Sequence, residues 1–323
     1  MSKLFRSVAL ALAAVLSCAQ AVAQEYPTKT VRLIVPYAPG GSPDVFARVM
    51  ATRLSESLGQ PFVVENRPGA GGIAACEMVA KAEPDGYTLL VPDIAQLAIN
   101  PALFKKLNYD PVKDFAPISL IGAIPLFLVA RPALQVNTVP ELIALSRSKP
   151  GGLNYGTGGV GSLAHILMES FKRPLALDIG HVPYKGSGAS TPAFLGGHLD
   201  LLMTAFAAIG PHVKAGNAKV LAVSSATRSA LAPDVPSISE FIPGYDFTAE
   251  IGMLAPAGTP VAILNKLAAE VAKAVQHPDT IQRFTAIGAV PVSNTPQAYA
   301  DNIKRHIPRF DKAVKDSGAT ASD

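Results

Sequence analysis

Short apolar runs alternate with glycine-rich turns and amphipathic segments along this chain. The apolar run Val31–Val35 predicts a buried parallel strand, and apolar residues then recur at i, i+4 after Ser42, as in a helix. A second unit starts with the run Leu153–Tyr155 and continues into a segment with one apolar face between Leu163 and Phe171. Strands that alternate with helices in this way predict an α/β fold with mostly parallel sheets.

The glycines of the two units have the same spacing. Gly41 and Gly69 are 28 residues apart, and so are Gly158 and Gly186. Each unit therefore predicts strand, glycine turn, helix, strand and glycine turn, with one unit in each of two similar lobes. A glycine turn followed by a helix N-terminus binds anions with backbone N–H groups. Two such lobes that face each other predict a clamp for a small acid.

Two segments are predicted to cross between the lobes. The first lies near 121–125, between the apolar runs Ile118–Ile121 and Leu126–Ala130, and the second is Thr248–Ala255. The first lobe is then discontinuous, with residues 24–123 plus 252–323, and the second lobe comprises 124–251. Two crossings make a hinge, as in proteins that close around a ligand.

The N-terminus has the pattern of a cleavable secretory signal peptide over residues 1–23. A basic start at Lys3 precedes the apolar run Val8–Leu16, which is too short to span a bilayer, and Ala21-Val22-Ala23 matches a cleavage site. A lipoprotein site at Cys18 is the alternative, and Leu16 is an unfavourable residue at its position before that cysteine. We therefore expect an exported protein in the periplasm.

The composition narrows the possible functions. The formal charge of +4 falls to +2 without residues 1–23, which contain two basic residues and no acidic one, and this charge is too weak to predict nucleic-acid binding. Cys76 is then the only cysteine, so no intramolecular disulfide is expected. The six histidines show no metal-ligand spacing, and no nucleophile motif occurs. The sequence predicts a protein that is not an enzyme and that binds neither a metal nor a cofactor.

One motif offers an alternative. Gly156–Gly161 matches G-x-G-x-x-G, and Asp178 follows Gly158 by 20 residues, as in dinucleotide-binding units. The same turn is also compatible with a tight turn without a ligand, or with a loop that holds a carboxylate. We favour the carboxylate loop, because an exported chain meets little nicotinamide cofactor and because Thr157 and Ser162 offer hydroxyl groups.

The candidate ligand-binding residues lie in or near the two turns. They are Tyr37, Pro39, Gly40, Gly41, Ser42, Asp44, Gln96, Thr157, Gly158, Gly161, Ser162, His165, Tyr184 and Asp200. Asp44 is either a first-turn helix residue favoured by the helix dipole or an acceptor for an amino or hydroxyl group of the ligand. His165 either reaches the cleft or packs against a neighbouring strand. Asp200 has either a structural or a ligand role, since a buried carboxylate needs partners.

Several motifs occur together in one order. They include Y-A-P-G-G-S-P-D from Tyr37, N-R-P-G-A-G-G from Asn66, Y-G-T-G-G-V-G-S from Tyr155, H-V-P-Y-K-G-S-G from His181 and L-A-P-A-G-T-P from Leu254. Over residues 26–316 the chain resembles the solute-binding proteins of tripartite tricarboxylate transporters, the Bug family. The resemblance implies a periplasmic binding protein of the two-lobed Venus flytrap type. It also implies a carboxylate held by main-chain amides, hydroxyls and waters, and its delivery to a membrane permease.

The resemblance implies ligand loops at Tyr37–Asp44 and Gly156–His165, and a shuttling receptor of this kind is expected to be a monomer. The chain departs from the family pattern at Pro92–Ala95, where small hydroxyl residues are usual. Asp93 in this segment would either repel a second carboxylate or bind an amine. Two other functions are alternatives: an exported NAD-dependent oxidoreductase, and a receptor that serves a sensor kinase without transport.

Overall fold

The computed structural model describes residues 26–184 and 187–319, so the predicted signal peptide lies outside the described residues. The strands are β1 (Val31–Val35), β2 (Phe62–Asn66), β3 (Thr88–Leu90), β4 (Phe115–Ala130), β5 (Leu153–Thr157), β6 (Ile179–Pro183), β7 (Leu201–Ala205), β8 (Lys219–Val223), β9 (Thr248–Pro256) and β10 (Val290–Pro291). The α-helices are α1 (Ser42–Leu58), α2 (Ile73–Ala80), α3 (Asn100–Leu103), α4 (Val139–Ser148), α5 (Leu163–Lys172), α6 (Ser187–Leu195), α7 (Phe206–Lys214), α8 (Val261–Gln276), α9 (Pro278–Ala286) and α10 (Pro296–Ser317). Short 3₁₀ turns occur at Ala70–Gly72, Pro132–Leu134 and Ile238–Glu240, and a π-helical turn at Ala95–Ile99 leads into α3.

The strands form two parallel units that are joined by antiparallel strands. Their order is β2-β1-β3-β9-β4-β7-β5-β6, and β8 and β10 also pair with β4. β1 is parallel to β2 and β3, and β5 is parallel to β6 and β7. Each predicted βα unit therefore lies in its own parallel part of the sheet, with helices packed on it.

The long strand β4 connects the two parallel units. From Phe115 to Pro125 it pairs with β9, from Leu126 to Ala130 with β7, and from Phe127 to Ala130 with β8. The two apolar runs that the sequence suggested are thus one continuous strand, and the crossing near 121–125 is backbone within that strand. The strand changes partner at Leu126, whose N–H donates to Ser224 Oγ at 3.0 Å.

The last helix packs against both halves of the molecule. Tyr299 and Ile303, in the first half of α10, join an apolar cluster with Ile34 of β1. Phe310, in its second half, lies in the cluster around Tyr155 of the second parallel unit. The lobe boundaries stay a prediction, and this helix contacts both lobes.

Ser42-Pro43 in the sequence predicts that Ser42 is the N-cap residue of α1, and the structure differs. The N-cap residue is Gly41, Ser42 is already helical, and no side chain caps the helix. The sequence also predicts that the helix ends at Gly59, and there the glycine has a left-handed φ of 70°. α5 does have a hydroxyl cap, because Ser162 Oγ accepts a hydrogen bond from the N–H of His165. The two helices of the repeated unit therefore begin in different ways.

Candidate functional site

The strand directions place the two glycine turns around one gap. β9 is antiparallel to β3 and to β4, so β4 runs in the direction of β1, β2 and β3. β7 is antiparallel to β4, and β5 and β6 run with β7. The carboxyl ends of the two parallel units therefore point towards each other. Ligands of open α/β sheets bind at such carboxyl edges.

The register along β4 gives the width of this gap. Asp93, after β3, bridges to Ile251, which lies opposite Gly122 of β4. Ala205, at the end of β7, lies opposite Leu126. The two edges are thus four strand positions apart, roughly 13 Å, which suits a small molecule.

The α3 segment joins the rims of the gap. Asn100 Nδ2 donates to the carbonyl of Gly71 in the first lobe at 2.9 Å. Leu103, at the end of α3, lies against Gly161 of the second turn, where a Cβ atom would be 3.3 Å from its Cδ2. The second turn and a glycine turn of the first lobe are therefore neighbours through one short helix.

Asp44 holds the first turn in shape. Its carboxylate is 3% exposed and accepts hydrogen bonds from the Gly40 N–H, Arg48 Nε and Asn66 Nδ2, each at 2.9 Å. Burial alone would raise the pKa of Asp44, but these three donors outweigh it and lower the pKa below its ordinary value. Of the two roles that the sequence left open, this geometry matches the role within the helix start.

The tip of the first turn offers free backbone donors. Pro39, Gly40 and Gly41 are exposed, and Ser42 is partly exposed. Within the part of the chain that the structure describes, the N–H groups of Gly41 and Ser42 donate to no protein acceptor. The first N–H groups of a helix lack intrahelical partners and carry its positive dipole end, so they can bind an oxyanion.

Tyr37 and Gln96 form a polar cluster at the first-lobe edge. Tyr37 Oη donates to Asp93 Oδ2 at 2.7 Å and accepts from Gln96 Nε2 at 3.0 Å. Gln96 Nε2 also donates to the carbonyl of Gly71, and Gln96 Oε1 accepts from the N–H of Asp93. This cluster brings the predicted residues Tyr37 and Gln96 together with Asp93.

The second turn is held by hydroxyl and imidazole groups. Thr157 Oγ1 accepts from the Gly159 N–H at 3.2 Å and contacts His181 Nε2 at 2.7 Å. Ser162 Oγ donates to the carbonyl of Gly159 at 2.8 Å. His165 Nδ1 accepts from the Gly161 N–H at 3.2 Å, so that nitrogen carries no proton.

His165 packs beneath the turn rather than opening into solvent. It is 5% exposed and stacks on His181 with ring centroids 4.2 Å apart, while His181 stacks on Tyr155. Burial lowers the pKa of His165, and burial together with the nearby His165 lowers the pKa of His181 to about 4. Both imidazoles are therefore neutral at neutral pH.

A buried ion-pair network lies below the stacked rings. Glu169 accepts from Tyr155 Oη at 2.6 Å, and it pairs with Lys172 at 2.9 Å and Arg173 at 2.8 Å. Burial opposes the charge of Glu169, but these partners lower its pKa below the ordinary value. The Glu169 carboxylate on α5 thus links Tyr155 of β5 to the cations at the end of α5.

The remaining candidates divide into two groups. Gly158 and Tyr184 lie at the second edge, where the Tyr184 N–H donates to the carbonyl of Thr157 at 3.0 Å. Asp200 lies at the amino end of β7, where it accepts from the Asn154 N–H at 2.9 Å and pairs with Arg131 at 2.7 Å. The structure therefore does not bring Asp200 to the turns, because β7 begins at the opposite edge of the sheet.

The described residues offer no metal cluster, no membrane-spanning helix and no reactive thiol. They contain no cluster of three metal-ligating side chains and no helix long and apolar enough to cross a membrane. Cys76 is buried, and burial raises its pKa to about 12, which makes the thiol unreactive.

Sequence reasoning missed three supporting residues. Asn66 links Asp44 to the carbonyl of Tyr37, and Asn100 binds Gly71. Glu169 had a visible signal, since a carboxylate four residues after His165 falls on the apolar side of α5. These three bonds of the two asparagines join residues at least 22 positions apart, which no local pattern reveals.

Comparison with known proteins agrees with this geometry. The family model described as tripartite tricarboxylate transporter family receptor matches residues 46–319. Protein BugT of Bordetella pertussis is 36% identical over 323 residues, which cover 99% of this chain and 98% of that protein. An R. palustris protein solved with adipate is 35% identical, with a TM-score of 0.77, over 91% of this chain and 99% of that one. MatC from Rhodopseudomonas palustris, solved with bound malate, is 33% identical with a TM-score of 0.73, over 90% and 100% of the two chains. These likenesses confirm the predicted α/β fold of a two-lobed periplasmic binding protein.

Proposed function

The chain belongs to the family of tripartite tricarboxylate transporter receptors, and we propose that it captures a small carboxylate between its lobes and delivers it to a membrane permease. The resemblance noted in the sequence is thereby confirmed. Members of this family are solute-binding proteins, so the chain is a solute-binding receptor and not an enzyme. The oxidoreductase alternative has no support in this family.

The observation that carries the proposal is the pair of helix starts that border one gap. On one side the free N–H groups of Gly41 and Ser42 begin α1. On the other side α5 begins after Ser162, and its first N–H groups, of Leu163 and Ala164, have no intrahelical partners. Two positive dipole ends attract a negatively charged guest. Two relatives carry carboxylates, adipate in one and malate in the other.

Closure of the lobes would follow from binding. β4 and β9 cross between the parallel units as antiparallel strands, and bending there would bring the two turns together. A ligand favours the closed state by as much as it binds that state more tightly than the open one. We propose that the permease recognises the closed form.

The family consists of periplasmic binding proteins. We propose that residues 1–23 direct export and are removed, and that the mature protein acts as a monomer. Service to a sensor kinase without transport is the second candidate function, carried over from the family resemblance.

Ligand capture is tested on protein purified from the periplasm of cells that express the full chain. Thermal shift and calorimetry are measured with adipate, malate, citrate, glutamate and benzoate. We expect at least one acid to raise the melting temperature, because a ligand at 100 times its Kd adds about 2.7 kcal/mol. N-terminal sequencing should find Gln24 first. If no carboxylate shifts the transition, the proposed capture is wrong.

Transport is tested separately by deletion of the gene. Uptake of the labelled acid that binds should fall in the deletion strain and return when the gene is restored. Unchanged uptake together with a lost transcriptional response to the acid would favour the sensor function.

A further inference from the structure

Asp93 differs from three buried carboxylates of the molecule in having no cationic partner. Asp44 pairs with Arg48, Glu169 with Lys172 and Arg173, and Asp200 with Arg131. Among residues 26–184 and 187–319, no lysine, arginine or histidine forms an ion pair with Asp93. This carboxylate therefore lies in the protein without a counter-ion.

The contacts of Asp93 are all neutral. Oδ2 accepts from Tyr37 Oη at 2.7 Å, and Oδ1 accepts from the Ala95 N–H at 2.7 Å. Two carboxylate oxygens offer about four acceptor sites, so roughly half of them stay open. Burial raises the pKa of Asp93, and these two donors oppose the rise only in part.

The electrostatic neighbours of Asp93 confirm its isolation. Besides burial, the charge of Asp93 raises the pKa values of Tyr37, Cys76, Tyr109 and Tyr299, all of which are neutral at neutral pH. A carboxylate in such surroundings is costly unless it finds a cation.

Asp93 also borders the proposed ligand gap. It follows β3 at the carboxyl edge, pairs with Ile251 of β9 and keeps part of its surface exposed. Tyr37, which contacts it, opens the first turn. A ligand whose carboxylate lies at the start of α1 would thus have Asp93 on the same wall of the gap.

We propose that Asp93 binds a protonated amine of the ligand, so that the receptor selects an acid that also carries a cationic nitrogen. This inference rests on the proposed capture of a carboxylate. A second carboxylate at this place would be repelled, and a hydroxyl group would leave the charge unneutralised. An ammonium group supplies both donors and the missing charge.

The test compares acids that differ by one amine. Calorimetry on the periplasmic protein measures aspartate against succinate, glutamate against glutarate, and 4-aminobutyrate against butyrate. For the pair that fits the gap, we expect the amino acid to bind roughly 10- to 100-fold more tightly, the range for a hydrogen bond to a charged group. If the acid without the amine binds as tightly as its amino counterpart in every pair that binds, the inference is overturned.

The variant Asp93→Asn keeps the shape and removes the charge. We expect it to lose most of the preference for the amino acid and to bind the matching dicarboxylate better than the wild type does. Asp301→Asn on α10 is the control, because this exposed aspartate changes the net charge equally and, among the described residues, its side chain hydrogen-bonds only Gln297. An unchanged preference in Asp93→Asn also overturns the inference.

The outcomes separate this inference from the proposed function. If no acid of either kind binds, the capture of a carboxylate itself is wrong. If acids without an amine bind and Asp93→Asn leaves their affinity unchanged, the capture stands and the role of Asp93 does not.

Discussion

The turns that open α1 and α5 follow the same strand, glycine and helix plan but are supported by different chemistry. In the first turn, the Asp44 carboxylate accepts hydrogen bonds from a backbone N–H, a guanidinium and a side-chain amide. In the second turn, Thr157, Ser162 and the neutral ring of His165 hold the backbone. The charged group of the second lobe, Glu169, lies one helical turn after His165 and accepts a hydrogen bond from Tyr155 Oη, so it does not contact the turn itself.

This difference shows that the same backbone conformation of a turn can be held by different side chains. Each turn needs glycine to present N–H groups, but the groups that fix the turn depend on what lies behind it. Behind the first turn lies partly exposed surface. Arg48 is 54% exposed there, so its pairing with Asp44 requires little desolvation of the guanidinium. Behind the second turn lies the apolar cluster of Tyr155 and Phe171, where neutral rings cost less to bury.

The largest expected effect is the loss of charge at Glu169. Glu169→Gln removes the partner of Lys172, which is only 17% exposed, and should destabilise the fold by about 3 kcal/mol, as when one side of a buried pair is removed. Asp44→Asn should cost only about 1–2 kcal/mol, because the exposed Arg48 can turn to water. Urea unfolding of both variants gives the two values. Equal losses, or a larger loss at Asp44, would show that the exposure of the paired cation does not set the difference between the two carboxylates.

Local patterns predicted much of the fold. The sequence predicts a helix over Val139–Ser148, the range of α4, and Thr295-Pro296 predicts the start of α10, because caps, prolines and apolar spacing act within a few residues. The role of Asp44 was not decidable, since Asn66 approaches it only after the chain folds back. The start of α10 was predictable, but not that its two halves contact different lobes.

The second expected effect is a pH dependence that belongs to the second lobe. The pKa of His181 is lowered to about 4 in the folded state, against about 6.5 in an unfolded chain. Between these values the unfolded state binds more protons, so stability should fall as the pH drops from about 6.5 to 4. Asp44 and Glu169 have lowered pKa values, so their contributions decline only at more acidic pH, below the usual range of carboxylates.

Thermal unfolding at a series of pH values checks this effect. His181→Gln should flatten the curve between pH 6.5 and 4, whereas His198→Gln, at an exposed histidine after α6, should leave it unchanged. An unaltered slope in His181→Gln would mean that the stacked rings do not set this part of the profile.

The smallest expected effect concerns single methyl groups at the tip of the first turn. Gly40 has φ +87°, so Gly40→Ala should cost about 1 kcal/mol of stability, and Gly216→Ala, at φ +77° in the turn after α7, should cost the same. Gly41 has φ −73°, and the atom nearest to a new Cβ is 3.7 Å away, so Gly41→Ala should be nearly neutral for folding.

For the acid that gives the largest thermal shift, the affinity should fall in Gly41→Ala and stay unchanged in Gly216→Ala. Equal affinities in both variants would remove the tip of the first turn from the ligand site and leave the second turn as the main anion-binding element.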